Sequence, residues 1–267
     1  MRIFLSVGHS ILRGGGCTSA SGYVNEYRYN KELAPYVKKE LEVLGHQCDV
    51  IVCPENRFSN WKEERTYKLP IANSGRYDLV CELHLNASNG QGHGMECLYY
   101  GNDSKGRAIA SRACSLFSKL GFKDRGPKSR SDLYILAQTK PTAVLFESFF
   151  CDNKGDCDLA DELGYGKIAE AIAVGLVGGS MSNTSSTSQS KPTKPFKGYY
   201  VLTSTPGDVL NVREKPSASS RIVSSYRHGS KIYVHEVVHT TDSTWYKIEY
   251  HKGKFGYVAA RFCKGIK

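Results

Sequence analysis

The sequence predicts an α/β sandwich built on a largely parallel sheet flanked by helices, followed by a small β-barrel. Three observations carry this reading. Through the first 178 residues, runs apolar on both sides alternate with amphipathic helical stripes, the pattern of strands covered by helices on both faces. A Ser/Thr-rich stretch closed by prolines, residues 181–195, has no periodicity with which to bury a core. Beyond it, short β-rich runs are broken at close intervals by Pro and Gly turns. The division is a domain over 1–178, a linker over 179–198 and a second domain over 199–267.

In chain order, residues 2–7 read as a buried strand. Residues 30–44 place Leu33, Val37, Leu41 and Leu44 on one helical stripe, and Gly45 follows as a stop signal. Residues 48–53 read as a second strand and 63–72 as a helix, with Pro70 poorly suited to its interior. Strands follow over 77–85 and 95–100. A helix over 105–120 turns Ile109, Ala113, Leu116 and Leu120 inward and ends at Gly121, then a strand over 143–150 and a closing helix over 167–177 complete the domain. In the tail, 199–203, 210–213, 231–238, 245–250 and 255–258 read as short strands.

Composition narrows the class. At 267 residues, 40% hydrophobic and 23% charged, the chain has the make-up of a globular protein. No apolar run approaches the roughly 18–20 residues that span a bilayer, so no membrane insertion is expected. The apolar start is too short for a secretory signal, so synthesis in the cytoplasm without an export address is expected. The nine cysteines are odd in number and form no Cys-x-x-Cys pair, which points to reduced, packed thiols. Charge is uneven: 22 Lys and Arg meet 21 Asp and Glu up to Ser180, and the remaining 14 meet only 5. A basic tail on a nearly neutral body suits a polyanionic partner, whether nucleic acid, anionic lipid or an anionic wall polymer.

In an open α/β sheet, chemistry gathers where strands end. His9 follows the first strand, His84 ends the strand over 77–85, Glu26 stands at the start of the first amphipathic helix, and Glu147 interrupts the apolar run over 144–150. A lone strand-end histidine is most often structural, and Glu26 alone suits a helix N-terminus. Glu147 is harder to place in a bland role, because a carboxylate in so apolar a strand needs a cation or a donor. Together the four offer three zinc ligands with an open fourth position and one free carboxylate as a base. Cys81 as a peptidase nucleophile is disfavoured by its place inside an apolar strand.

Four segments then carry a resemblance: Val7-Gly8-His9, Gly22-x-x-Asn25-Glu26, Glu82-Leu83-His84-Leu85-Asn86-Ala87, and Val144 through Asn153 around Glu147. In order and position they resemble the motifs of the zinc-dependent N-acetylmuramoyl-L-alanine amidases, and more closely the catalytic domains of endolysins from clostridial phages. The resemblance implies one Zn2+ held by His9, Glu26 and His84. It implies Glu147 as the catalytic glutamate in hydrolysis, by zinc-activated water, of the amide joining N-acetylmuramic acid to L-alanine. It also implies a peptidoglycan substrate and a holin-type release to the cell wall. A bacterial autolysin or spore-lysis amidase, a zinc stem-peptide peptidase and a non-catalytic wall- or nucleic-acid-binding protein are the alternatives. The chain departs from the family where Glu82 stands in place of a small residue, which makes Glu82 either a support for His84 or a solvated side chain. Asn86 is a candidate substrate contact or a turn cap, and His93, in the glycine-rich loop over 89–94, a second candidate substrate contact.

The tail resembles a bacterial SH3-like domain through Leu210-Asn211-Val212-Arg213, Trp245-Tyr246-Lys247-Ile248 and Gly256-Tyr257-Val258. The resemblance implies a module that binds a cell-wall polymer or peptide; no nucleic-acid partner is expected, nucleic acid being the competing reading of its basic excess.

Overall fold

A computed structural model describes residues 1–181, 198–202, 209–217, 220–240 and 244–265. The chain divides into two compact units, Met1–Ser182 and Asn183–Lys267. Most of the expected linker, residues 182–197, lies outside the described residues.

The first unit alternates strands and helices: β1 (Arg2–Val7), α1 (Glu26–Val43), β2 (Gln47–Ile51), α2 (Trp61–Ala72), β3 (Leu79–Asn86), β4 (Met95–Tyr99), α3 (Ser104–Lys119), β5 (Asp124–Ser129), α4 (Tyr134–Ala137), β6 (Thr142–Phe150) and α5 (Lys154–Val177). The sheet order is β2-β1-β3-β6-β4-β5. All neighbours are parallel except β4, which runs antiparallel to β6. The longer helices begin at side-chain caps that satisfy N–H groups no intrahelical carbonyl can reach. Asn25 caps α1, Asn60 caps α2, Asp103 caps α3 and Asn153 caps α5.

The two faces of the sheet differ. Ile3, Leu5, Val7, Cys81, Leu83, Val144 and Phe146 belong to the larger core, with the buried sides of α1, α3 and α5. One residue out of phase, Phe4, Val80, Leu98, Ala143 and Leu145 pack with Ala72 of α2 and with Ile135 and Leu136 of α4. Two short or narrow elements cover this second face, whereas three long helices cover the first.

Several element bounds differ from the sequence reading. α1 starts at Glu26 because the Asn25 cap precedes the apolar stripe that betrays the helix. α5 starts at Lys154 and is interrupted at Gly164, whose φ of 68° and ψ of 167° are not helical. Only its second half carries the apolar run that the sequence exposes. β5 has the composition Asp-Arg-Gly-Pro-Lys-Ser and was not expected as a strand. It is an edge strand paired only with β4, where Pro127 is tolerated. Pro70 sits in the last turn of α2. Among the described residues no helix is long and apolar enough to cross a membrane.

The second unit is an all-antiparallel, seven-stranded sheet: β7 (Gly198–Leu202), β8 (Val209–Arg213), β9 (Ile222–Arg227), β10 (Lys231–His239), β11 (Thr244–His251), β12 (Lys254–Ala259) and β13 (Cys263–Gly265), ordered β13-β7-β10-β11-β12-β8-β9. Its core is Leu210, Val212, Ile232, Val234, Ile248 and Val258. β9 and β13 go beyond the five strands read from sequence; β9 is a largely exposed edge and β13 has three residues, so neither shows a strong pattern. Gly256 permits the close crossing of β12 and β8, since a methyl group there would lie 2.6 Å from Val212 Cγ1.

The end of β6 and the start of β4 are tied by one carboxylate. Buried Asp156, in the first turn of α5, accepts from Phe150 N at 2.9 Å and from Gly94 N at 2.8 Å. Asp156→Ala is expected to lower the stability of the first unit by about 3 kcal/mol, since two buried N–H groups lose a charged acceptor. The urea midpoint measures it, and an unchanged midpoint contradicts this role.

Candidate active site

Toward the C-terminal ends of the central strands the second face turns polar. Phe4, Val80, Ala143 and Leu145 give way, at the same two-residue period, to Ser6, Glu82, His84 and Glu147. His9 leaves β1 through Gly8 with a φ of 63°, in the left-handed region. The absence of a side chain at Gly8 makes room for His84: a methyl group there would stand 2.3–2.7 Å from atoms of the imidazole ring.

Glu26, the first residue of α1, reaches across the strand ends and is 3% exposed. Its Oε1 lies 2.8 Å from His84 Nδ1 and 3.2 Å from His9 Nε2, and accepts from Leu85 N at 3.1 Å. Its Oε2 accepts from Ala20 N at 3.0 Å. The two imidazoles meet edge to face with centroids 4.8 Å apart. One ligand atom from each of His9, Glu26 and His84 lies within 4.8 Å of the other two. Two imidazole nitrogens and a carboxylate oxygen converging from three segments form a donor set that fits zinc and leaves a coordination position open.

Each histidine has a second partner behind it. His84 Nε2 lies 3.1 Å from Glu82 Oε1, and Glu82 Oε2 accepts from Lys68 Nζ at 2.7 Å and from Ser6 Oγ at 2.8 Å. Lys68 Nζ also donates to the carbonyl of Val7 at 2.6 Å. Behind His9, Nδ1 lies 3.3 Å from Thr18 Oγ1, which donates to Glu64 Oε2 at 2.9 Å. Glu82 is therefore a support for His84 and not a solvated side chain.

Charge follows from this packing. Burial works to raise the Glu26 carboxyl, but its bonds to His84 and His9 prevail and hold it well below the usual carboxylate range. Glu82 is likewise depressed, its burial outweighed by Lys68 and His84. Burial opposes charge on His84, yet the carboxylates of Glu26 and Glu82 push its imidazole up to about 10. Glu147, opposite His84 in the β3–β6 register, has no such ally. Burial, with Glu26, Glu96 and Glu82 nearby, raises it to about 8 against the pull of His84. Its Oε2 is buried without a hydrogen-bond partner. An open pocket of about 370 Å³ adjoins the histidines, walled by Trp61 and Glu64 of α2, Leu133, Tyr134, Ile135 and Leu145.

The structure thus brings together His9, Glu26 and His84 and sets Glu147 on the neighbouring strand. Asn86 is engaged within the protein: its amide donates to Glu96 at 3.0 Å and its oxygen accepts from Ala87 N at 2.9 Å, which favours the turn-cap reading. His93 is exposed, lies 3.2 Å from the carbonyl of Gln91 through Nδ1, and does not line the pocket. The nine cysteines are unpaired and seven are buried, and burial raises the Cys81 thiol well above its ordinary value. Thr18, Glu64 and Lys68 were missed from sequence. Glu64, Lys68 and Ala72 recur at helical spacing, but that this face is the buried one is visible only in the structure.

Gly8→Ala is expected to displace the His84 ring and destabilise the first unit by about 2 kcal/mol through overpacking. Thermal unfolding measures the loss, and a wild-type melting temperature contradicts the close approach.

Residues 3–177 match the N-acetylmuramoyl-L-alanine amidase family, and residues 208–264 the bacterial SH3 domain family. The endolysin of Bacillus phage SPP1 is 30% identical over 182 residues, covering 65% of this chain and 64% of its own. An uncharacterised protein of Clostridium perfringens is 28% identical over 177 residues, covering 65% of this chain and 50% of its own. The chain thus spans less than two thirds of the length of either relative. Among solved structures, the catalytic domain of the CD27L endolysin, which targets Clostridia difficile, is 56% identical with a TM-score of 0.64, over 66% of this chain and 96% of that one. The CwlD amidase of Clostridioides difficile, solved with the GerS lipoprotein, shares the fold at 22% identity and a TM-score of 0.56, over 66% of this chain and 95% of that one.

Proposed function

From a chain that belongs to the N-acetylmuramoyl-L-alanine amidase family, we propose a peptidoglycan hydrolase that cuts the amide between N-acetylmuramic acid and L-alanine and acts as a phage endolysin. The observation that carries the reading is the convergence of His9, Glu26 and His84 within 4.8 Å, with Glu147 beside them on the adjoining strand. These three residues would hold one zinc ion, which when bound supplies a Lewis acid and lowers the pKa of a water to about 7.

The chain's own residues supply the proton traffic. Glu147 has a carboxylate oxygen that the fold leaves unpaired. It takes a proton from the attacking water as the oxygen adds to the lactyl carbonyl carbon. When the carbon–nitrogen bond breaks, Glu147 returns that proton to the L-alanine nitrogen, which leaves as an amine. The pocket beside the histidines, with Trp61 and Tyr134 on its wall, receives the substrate next to these groups.

The SH3-like unit would bind the cell wall, its basic excess suited to anionic wall polymers. Similarity to an endolysin supports release to the wall through a holin-type lesion in the membrane.

Digestion of purified Gram-positive walls is expected to expose L-alanine amino ends beside intact glycan, to stop on chelation and to resume with zinc. A cut elsewhere in the stem peptide overturns the amidase reading in favour of a peptidase. Glu147→Ala is expected to retain one equivalent of zinc and to lose about 10²–10⁴ in kcat; loss of the metal instead makes Glu147 a ligand. Deleting residues 183–267 is expected to reduce activity on whole walls more than on soluble muropeptides, because the tail raises local concentration at the wall. The isolated tail is expected to bind walls less tightly as salt rises. A tail that ignores walls and shifts DNA contradicts the targeting role.

A further inference from the structure

Helix α2 places Glu64 and Lys68 one turn apart, both buried, beneath the two histidines. A histidine ligand binds a metal through one ring nitrogen, and the other, as an N–H donor, is fixed by whatever accepts from it. Here the acceptors differ between the two rings. For His84, Nδ1 faces Glu26 Oε1 at 2.8 Å and Nε2 faces Glu82 Oε1 at 3.1 Å. For His9 the sense is reversed. Nε2 faces Glu26 Oε1 at 3.2 Å, and Nδ1 faces Thr18 Oγ1 at 3.3 Å. The Thr18 hydroxyl has two acceptors in reach, Glu64 Oε2 at 2.9 Å and the Ser10 carbonyl at 3.4 Å; with its one proton on the nearer, its lone pairs are left to accept from the ring and from Ser10 N at 3.2 Å.

We propose that α2 is the clamp that sets which nitrogen each histidine presents: Lys68 through Glu82 commits His84 to Nδ1, and Glu64 through Thr18 commits His9 to Nε2. The proposal rests on the reading of His9, Glu26 and His84 as metal ligands. Lys68 and Glu82 are 1% and 2% exposed at the side chain, and a pair so placed adds little to stability over an apolar pair of similar volume. Its position explains its presence. One ammonium anchors the carboxylate behind His84 and, through the Val7 carbonyl, the strand end that leads by Gly8 into His9. Lys68 and Glu64 are positioning residues, acting on the rings through Glu82 and Thr18.

The full chain, labelled with 15N-histidine and loaded with zinc, tests this by long-range 1H–15N correlation, which reads the protonated nitrogen of each ring. The expected result is Nε2–H on His84 and Nδ1–H on His9; the opposite tautomer on either ring overturns the proposal without any variant. The double variant Lys68→Met with Glu82→Gln removes both charges together, so neither is left unpaired. Its zinc affinity in a chelator competition is expected to fall about 10- to 100-fold while the zinc-free protein keeps its melting temperature. A loss smaller than about fivefold in that folded variant overturns the proposal. A wild-type chain that takes up no zinc overturns the metal reading itself, and this inference with it. Uptake through Nε2 of His84 leaves the metal reading standing and overturns only the clamp.

Discussion

One carboxylate oxygen holds the site together. Oε1 of Glu26 is the shared partner of His9 Nε2, His84 Nδ1 and the backbone N–H of Leu85, and so joins the loop after β1, the start of α1 and the end of β3. Around it the fold concentrates negative charge. Glu82 and Glu96 are neutralised by Lys68 and Arg125, at 2.7 and 2.8 Å. Glu26 relies on the two histidines, and at Glu147 burial and the neighbouring carboxylates prevail over the pull of His84, which is why it is driven upward. On the proposed reading, a divalent cation at the histidine cluster would bring positive charge to the buried carboxylates of Glu26 and Glu147.

The asymmetry of the sheet makes this possible. The face covered by α1, α3 and α5 is apolar over the length of the strands, whereas the face under α2 and α4 is covered only in part. Glu82 and His84 of β3, and His9 after β1, open there into the pocket walled by Trp61 and Tyr134. Among the described residues of the second unit, the core is six aliphatic side chains on an antiparallel sheet.

Most of the sheet was legible because its strands are apolar on both sides. Residues 2–7 were read with the bounds the structure has, and β6 was one residue longer than read. His9, His84 and Glu147 were legible for the opposite reason, as polar groups where an apolar run should continue or end. β5 was illegible because an edge strand needs no β-formers, and the first half of α5 because Gly164 separates it from the apolar run that marks the second. Lys68 and Glu64 were hidden by their type. Charged residues on a helix are read as solvated, and only the three-dimensional packing of α2 against the strand ends turns that face inward. Thr18 lies in an aperiodic loop after Gly14-Gly15-Gly16, where sequence pattern carries no information on what the side chain meets.

Anomalous diffraction at the zinc absorption edge, on crystals of the full chain grown with zinc, bears most directly on the claim that these three residues form the metal centre and Glu147 the proton carrier beside it. A single peak enclosed by His9, Glu26 and His84, with the Glu147 carboxylate outside the ligand sphere, is the expected result. A peak elsewhere in the chain, or one in which Glu147 replaces any of the three, contradicts it.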